Sequence, residues 1–384
     1  MRIAQVAPLF ESVPPRYYGG TERVVSWLTE ELVRQGHEVT LFASGDSVTR
    51  ARLVGIGDEA LRLGGNWSDP VAPHLLMLER VWQQAHLFDV IHFHTDYLQL
   101  PIARRVSTPT VTTLHGRLDM PDLARLFREF TEALAISVSD SQREPLPWLN
   151  WIATVHHGLP ADEFEPRLGR GAYLAFLGRV SPEKRVDRAI EIARRAGMPL
   201  RIAAKIDDVD RDYFERRVAP LLTDRGSEYV GEITEEEKHD FLGDAAALLM
   251  PIDWPEPFGI VQIEAMACGT PVIAFRHGAV PEVIDEGRSG FVVDDVDAAV
   301  DAVGRIGQLS RAGVRECFER RFTAQRMATQ YLTAYEAVIA RAESHVSLTV
   351  GAPRMADSVQ TTAFGVGAHD PAPAVDQGGR PEAV

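Results

Sequence analysis

The chain has 384 residues, 45% hydrophobic and 25% charged, the proportions of an ordinary globular protein long enough for about two domains. Its 40 basic and 55 acidic residues leave a formal charge of −15, which argues against a nucleic-acid surface but leaves room for a local basic pocket for an anion. The opening apolar run is too short for a signal segment, no run reaches the ~18 apolar residues of a spanning helix, and the two cysteines, Cys268 and Cys317, lie in helical contexts that suit a reducing compartment. The reading is cytoplasmic, with peripheral membrane contact left open.

In chain order, residues 3–7 read as a strand, 21–35 as a helix closed by Gly36, 39–43 as a strand and 73–85 as a helix. Further strands fall at 90–93, 110–114, 134–138 and 152–155. This βα rhythm is that of a doubly wound parallel sheet. Residues 158–171, rich in Gly, Pro and charge, read as a linker, and the rhythm then restarts. Strands are expected at 172–177, 200–204, 229–230, 246–250, 272–274 and 291–293. Helices are expected at 184–196, 211–222, 235–242, 260–268 and 297–309. A long amphipathic pattern over 323–343 predicts a helix that returns to the first domain. From Ser344 the chain turns Ala-, Gly- and Pro-rich without periodicity and reads as a disordered tail. The fold expected is α/β, with two Rossmann-like domains, 1–160 (plus 323–343) and 172–322, facing a cleft where ligands bind.

The most informative stretch runs from Glu256 through Pro257, Phe258, Gly259 and Ile260 to Glu264 and on to Ala274. It places two carboxylates eight residues apart across a helix start, with Pro257 in the first turn. The N–H groups of Phe258, Gly259 and Ile260 offer an anion seat between them. Taken alone, the two glutamates are a turn residue and a solvated helix residue; taken with the anion seat they suit a sugar nucleotide. Near the N-terminus, Gly19 and Gly20 open a helix after the first strand, with Thr21 as a cap and Glu22 in the first turn. The Gly-x-Gly-x-x-Gly dinucleotide fingerprint is absent after residues 3–7, which counts against a nicotinamide enzyme. In the second half, Arg179 follows a strand and Lys184 stands at a helix start, against the macrodipole preference; a bound diphosphate would explain it. His115, and His92 with His94, close strands whose C-terminal ends face the crevice. A metal held by His92, His94 and Asp96 is conceivable, but that spacing is unspecific.

Together these motifs, chiefly EPFGIVQIE with AMACGTPVIA, then FLGRVSPEK and GGTE, resemble the retaining glycosyltransferases of family 4 with the GT-B fold, over about residues 1–343. The resemblance implies a nucleotide-sugar donor in the second domain, with Glu264 on the ribose and Glu256 on the donor sugar. It puts Phe258, Gly259 and Ile260 on sugar and phosphate through their backbone, and Arg179 and Lys184 on the diphosphate. Gly19 and Gly20 would reach over from the first domain, His115 would lie near the anomeric centre, and the segment from Gly231 to Ile233 would face the base. It further implies a metal-independent front-face substitution without a protein nucleophile or cofactor, and an acceptor (small molecule, glycan or lipid) on the first domain. UDP-glucose is the donor expected from family frequency. A sugar-nucleotide epimerase on the same architecture and a non-catalytic nucleotide-sugar binder are the competing readings.

Overall fold

The computed structural model describes residues 1–17, 19–64, 68–223 and 226–350. The first half comprises β1 (Arg2–Val6), α1 (Gly20–Arg34), β2 (Glu38–Ser44), β3 (Arg52–Ile56), α2 (Leu61–Gly64), α3 (Val71–Gln84), β4 (Val90–Phe93), α4 (Leu100–Ala103), β5 (Thr110–Thr113), α5 (Pro121–Glu129), β6 (Ala135–Ser137) and β7 (Trp151–Thr154). The second comprises β8 (Tyr173–Arg179), α6 (Val186–Ala196), β9 (Leu200–Lys205), α7 (Arg211–Tyr213), β10 (Ser227–Gly231), α8 (Glu235–Gly243), β11 (Ala245–Met250), α9 (Ile260–Ala267), β12 (Val272–Phe275), α10 (Val280–Val283), β13 (Gly290–Val293), α11 (Val296–Arg305), α12 (Arg311–Arg321) and α13 (Ala324–Val350).

The strands form two parallel sheets, ordered β3-β2-β1-β4-β5-β6-β7 and β10-β9-β8-β11-β12-β13. This is the two-domain Rossmann-like α/β fold expected from the sequence. Central strands such as β4 and β12 are buried along their whole length, as a sheet covered on both faces requires. In each sheet the strand order reverses beside the first strand of that half, β1 or β8, and the crevice beyond the carboxyl ends of the strands opens there.

Several elements differ from the sequence reading. β3 is a half-exposed edge strand, and α5, α10 and α12 are helices where none was expected. The helix expected over 211–222 is irregular: after Arg211–Tyr213 it widens into a π turn over Phe214–Val218 and tightens over Ala219–Thr223. Residues 158–171 carry no named helix or strand, but Leu159 bridges to Thr323 and Phe164 is buried. α13 does return to the first sheet. Its buried residues Met327, Tyr331, Tyr335 and Val338 recur at helical spacing, and the Tyr335 hydroxyl accepts a hydrogen bond from the Gln5 amide of β1 at 2.9 Å. The helix runs to Val350, six residues past Ser344, where the tail was expected to start; residues 351–384, where the rest of that expectation falls, lie outside the described residues. No helix among the described residues is long and apolar enough to cross a membrane.

Candidate active site

The loops at the carboxyl ends of β1, β5, β8, β9 and β11 enclose a cavity of about 380 Å³. Two helix N-termini converge on it. α1 begins at Gly20 behind the N-cap Gly19, and α9 begins at Ile260 behind the N-cap Gly259. A methyl group on Gly20 would lie 3.6 Å from the Ile260 side chain, so the start of α1 faces that side chain across the cleft. Both N-caps are glycines with no side chain to bond a first-turn N–H, and both helix starts line the cavity, where an anion would be seated. Thr21 is therefore not the cap expected of it. Pro257 likewise lies before the helix rather than in its first turn.

Gly259 has a φ of +81°, and a Cβ there would come within 2.6 Å of the Gln262 amide and 2.9 Å of Met250. Only glycine permits this entry into α9. The preceding loop is fixed by a residue the sequence reading missed. A Cβ on Gly278 would lie 2.2 Å from the Glu256 carbonyl oxygen and 2.4 Å from its nitrogen, and the Ala279 N–H donates to that same carbonyl at 2.9 Å. Glu256 is thereby pinned by the β12–α10 turn. Its carboxylate meets the Lys184 ammonium and accepts the Trp254 indole N–H at 3.2 Å, and Lys184 lies 4.7 Å from the centre of that indole. Trp254 thus braces the pair.

Lys184 does not stand in the helix start as expected. α6 begins at Val186, behind Arg185 in a left-handed conformation (φ +56°) tied to Asp187 and Asp253, and Lys184 closes a turn onto the Ser181 carbonyl. The conflict with the helix dipole disappears, while the ammonium still lines the cavity. Arg179 ends β8, does not line the cavity, and bonds Glu183 at 2.6 Å with Asp207 and Asp210 at 3.7 and 3.9 Å. Gly231 ends β10 with φ +84°; the neighbouring Glu232 and Ile233, rather than Gly231, line the cavity.

Glu264 lies inside α9, with its side chain 5% exposed, and carries a partner the sequence reading passed over. The Lys238 ammonium stands 2.8 Å from it and 2.7 Å from Glu235. Glu235 in turn pairs at 2.8 Å with Arg23 of α1. An alternating chain, Arg23–Glu235–Lys238–Glu264, therefore spans the cleft from one domain to the other. The Glu235–Lys238 spacing on a helix was the available signal; the other two links join residues distant in sequence.

His115 lines the cavity, half-buried, with its ring stacked 5.3 Å from that of buried His157, which packs edge-on against Phe258 at 4.8 Å. Burial drives the His115 pKa down to about 3, so the ring is neutral at working pH. His92 and His94 are fully occupied: both ring nitrogens of each are hydrogen-bonded to protein groups. The lone pair on each ring is already engaged by a protein donor and is not open to the metal conceived from the sequence. Among the described residues no group of three or more His, Cys, Asp or Glu side chains is placed to hold a metal ion.

Two family descriptions match the chain: Glycosyltransferase Family 4 over residues 18–190 and Glycosyl transferases group 1 over residues 161–312. A D-inositol 3-phosphate glycosyltransferase of Streptomyces avermitilis is 29% identical over 229 residues, 50% of this chain and 49% of the relative. A phosphatidyl-myo-inositol mannosyltransferase of Mycolicibacterium smegmatis is 28% identical over 374 residues, 88% of this chain and 94% of the relative. The chain thus spans about half the length of the first and nearly all of the second. Among solved structures, a glycosyltransferase involved in avilamycin A biosynthesis superposes with a TM-score of 0.67 at 24% identity, covering 88% of this chain and 98% of the other. Anabaena Alr3699/HepE, in complex with UDP and glucose, superposes at 0.66 with 16% identity, covering 88% and 100%. At these identities the structural likeness concerns the fold.

Proposed function

The chain belongs to the group 1 glycosyltransferases of family 4, and we propose that it moves a hexose with retention from a nucleoside-diphosphate sugar in the interdomain cleft to an acceptor on the first domain. The observation that carries this reading is the convergence of the α1 and α9 N-termini on one cavity that also holds the Lys184–Glu256 and Lys238–Glu264 pairs. A diphosphate suits the N–H groups and the Lys184 ammonium. Glu256 and Glu264 are left to accept hydrogen bonds from hydroxyls of the hexose and the ribose.

Charge stabilisation follows from this placement. As the glycosidic bond breaks, negative charge grows on the diphosphate, against two helix N-termini and a lysine already in position. Lys184 must then exchange Glu256 for phosphate, which frees the carboxylate for the sugar. Arg179 joins only by leaving Glu183. His115, neutral with a pKa near 3, is a hydrogen-bond acceptor here rather than a proton carrier, which fits a reaction in which the departing diphosphate itself takes the acceptor's proton. No protein nucleophile is invoked and no metal is required. UDP-glucose is the first donor to test, since a structural neighbour is in complex with UDP and glucose; the inositol-directed relatives make polyol and lipid-linked polyol acceptors the first panel.

The test is a thermal-shift screen against UDP, GDP, ADP and their sugar conjugates, with and without EDTA, followed by turnover of Glu256→Ala and Lys184→Ala. A selective rise that survives EDTA, with each variant's kcat down roughly 10²–10³-fold, is expected. No shift with any nucleotide, or wild-type turnover in both variants, would overturn the reading. Sugar isomerisation without transfer would make the enzyme an epimerase.

A further inference from the structure

A chain of hydrogen bonds joins the returning helix α13 to the cleft histidine, and its direction can be read. The Thr113 hydroxyl donates to the Tyr331 oxygen at 3.1 Å. With its one proton so engaged, Thr113 Oγ1 accepts from His92 Nε2–H at 2.7 Å. A neutral His92 then offers Nδ1 as an acceptor, to which the Tyr335 hydroxyl donates at 2.7 Å. The Tyr335 oxygen accepts from the Gln5 amide nitrogen at 2.9 Å, so Gln5 Oε1 faces His94 and accepts its Nε2–H at 2.8 Å. His94 Nδ1 is left as the acceptor for His115 Nε2–H, at 2.8 Å.

Gln5, His92, Thr113, Tyr331 and Tyr335 are all 0% exposed and His94 is 2% exposed, so water cannot stand in for a missing member. Reversing any one link reverses those beyond it. The polarity set at α13 is thus delivered to the cleft as a choice of histidine tautomer.

We propose that Tyr335 and Thr113 are positioning residues that hold His115 as its Nε2–H tautomer, making Nδ1 the accepting nitrogen of a ring that lines the donor cleft. That tautomer welcomes a hydroxyl of the donor hexose and repels the oxygens of the diphosphate, which can only accept. It therefore seats the sugar, not the phosphate, beside the histidine. The opposite tautomer would present an N–H and draw phosphate oxygen into the sugar's place. The identity of the incoming hydroxyl rests on the reading under Proposed function; the tautomer chain does not.

The experiment is long-range 15N–1H correlation spectroscopy of the full chain labelled in histidine, run with steady-state kinetics and nucleoside-diphosphate binding on wild type, Thr113→Val, Thr113→Ser and Tyr335→Phe. In the wild type His115 is expected with Nε2 protonated and Nδ1 bare. Thr113→Val and Tyr335→Phe are expected to mix the tautomers and lower kcat about tenfold, the lower end of what second-layer partners of a functional histidine contribute, with nucleoside-diphosphate affinity unchanged. Thr113→Ser, which restores the hydroxyl, should restore both. A wild-type His115 protonated at Nδ1, variants that leave the tautomer untouched, or a Thr113→Ser that fails as badly as Thr113→Val would each overturn the proposal. Should Tyr335→Phe not fold, the wild-type spectrum and the Thr113 pair decide it. Failure of the wild type to bind any nucleoside diphosphate would instead sink the donor reading, while the spectra still judged the chain.

Discussion

Replacing Lys238 with methionine should strand the Glu264 carboxylate. The two side chains are 13% and 5% exposed and 2.8 Å apart. Burial pushes the Lys238 pKa down, but Glu264 and Glu235 push it up by more, so the ammonium is charged at any working pH. Removing one partner of a buried pair costs about 3–5 kcal/mol, because the survivor is a buried charge without compensation. The pair borders a water-accessible cavity, so the lower end, about 3 kcal/mol, is the expectation. Glu235 suffers less, since it keeps Arg23 at 2.8 Å. Urea unfolding at pH 7.5 of Lys238→Met, Glu264→Gln and the double variant closes a double-mutant cycle. The double variant should be more stable than Lys238→Met alone, with a coupling of about 1–3 kcal/mol. Lys238→Met within about 0.5 kcal/mol of wild type, the usual spread of surface substitutions, or strict additivity of the two changes, would refute the view that Lys238 compensates Glu264.

Burial pushes Glu22 up to about 7 from 4.5, with the backbone N–H bonds it accepts, Glu11's among them, opposing. Between those values the native state binds the proton and the unfolded state has lost it, so stability falls as pH rises through the window, by about 3 kcal/mol at 1.36 kcal/mol per unit; relative to wild type, Glu22→Gln should gain that amount between pH 4.5 and 8 in urea titrations, and a flat difference would refute it. The four buried or half-buried imidazoles His92, His94, His115 and His157 act oppositely: their pKa values are lowered, so their contribution is complete above pH 6.5 and is lost as pH falls below it, and the wild-type melting temperature should drop on that acid limb. Gly278→Ala, with a Cβ 2.2 Å from the Glu256 carbonyl and φ +55°, should destabilise by about 3 kcal/mol, the upper range for overpacking, and abolish the donor-induced thermal shift, whereas a variant as stable as wild type that still responds to donor would mean the loop moves freely. Burial pushes the Cys268 thiol up to about 12 and raises that of Cys317; both are 0% exposed, so neither should react with Ellman's reagent until the protein unfolds.

Much of the cavity lining around α9 could be read along the chain because its groups sit in one continuous stretch. The positions of Glu256, Gly259 and Glu264 are set by where α9 begins, and the Gly-then-apolar pattern marks that start to within a few residues. Elements went unread where local signals were weak. β3 is an edge strand with a glycine and only Ile56 buried, and α12 carries six charges in eleven residues, with Val314, Cys317 and Phe318 as its buried contacts. α5 did carry a signal, Pro121 at its start and Leu123 four residues before Phe127.

By itself the sequence determined that there are two parallel α/β halves, that helices begin within a residue or two of the Gly19-Gly20 pair and of Gly259, and that two carboxylates flank the second of these starts. These are properties of periodicity and of backbone groups within a turn or two of each other, which short-range sterics and hydrogen bonding dictate. Only the tertiary structure decided the partners: Lys184 for Glu256, Lys238 for Glu264, Glu183 for Arg179, Gly278 beneath Glu256, and Tyr335 at the far end of a chain that reaches His115. A charge or a hydrogen bond acts over a few ångströms of space with no regard to distance along the chain. Which cation meets which carboxylate, and which nitrogen of a histidine keeps its proton, is therefore fixed only when sheets, loops and the returning helix are packed together.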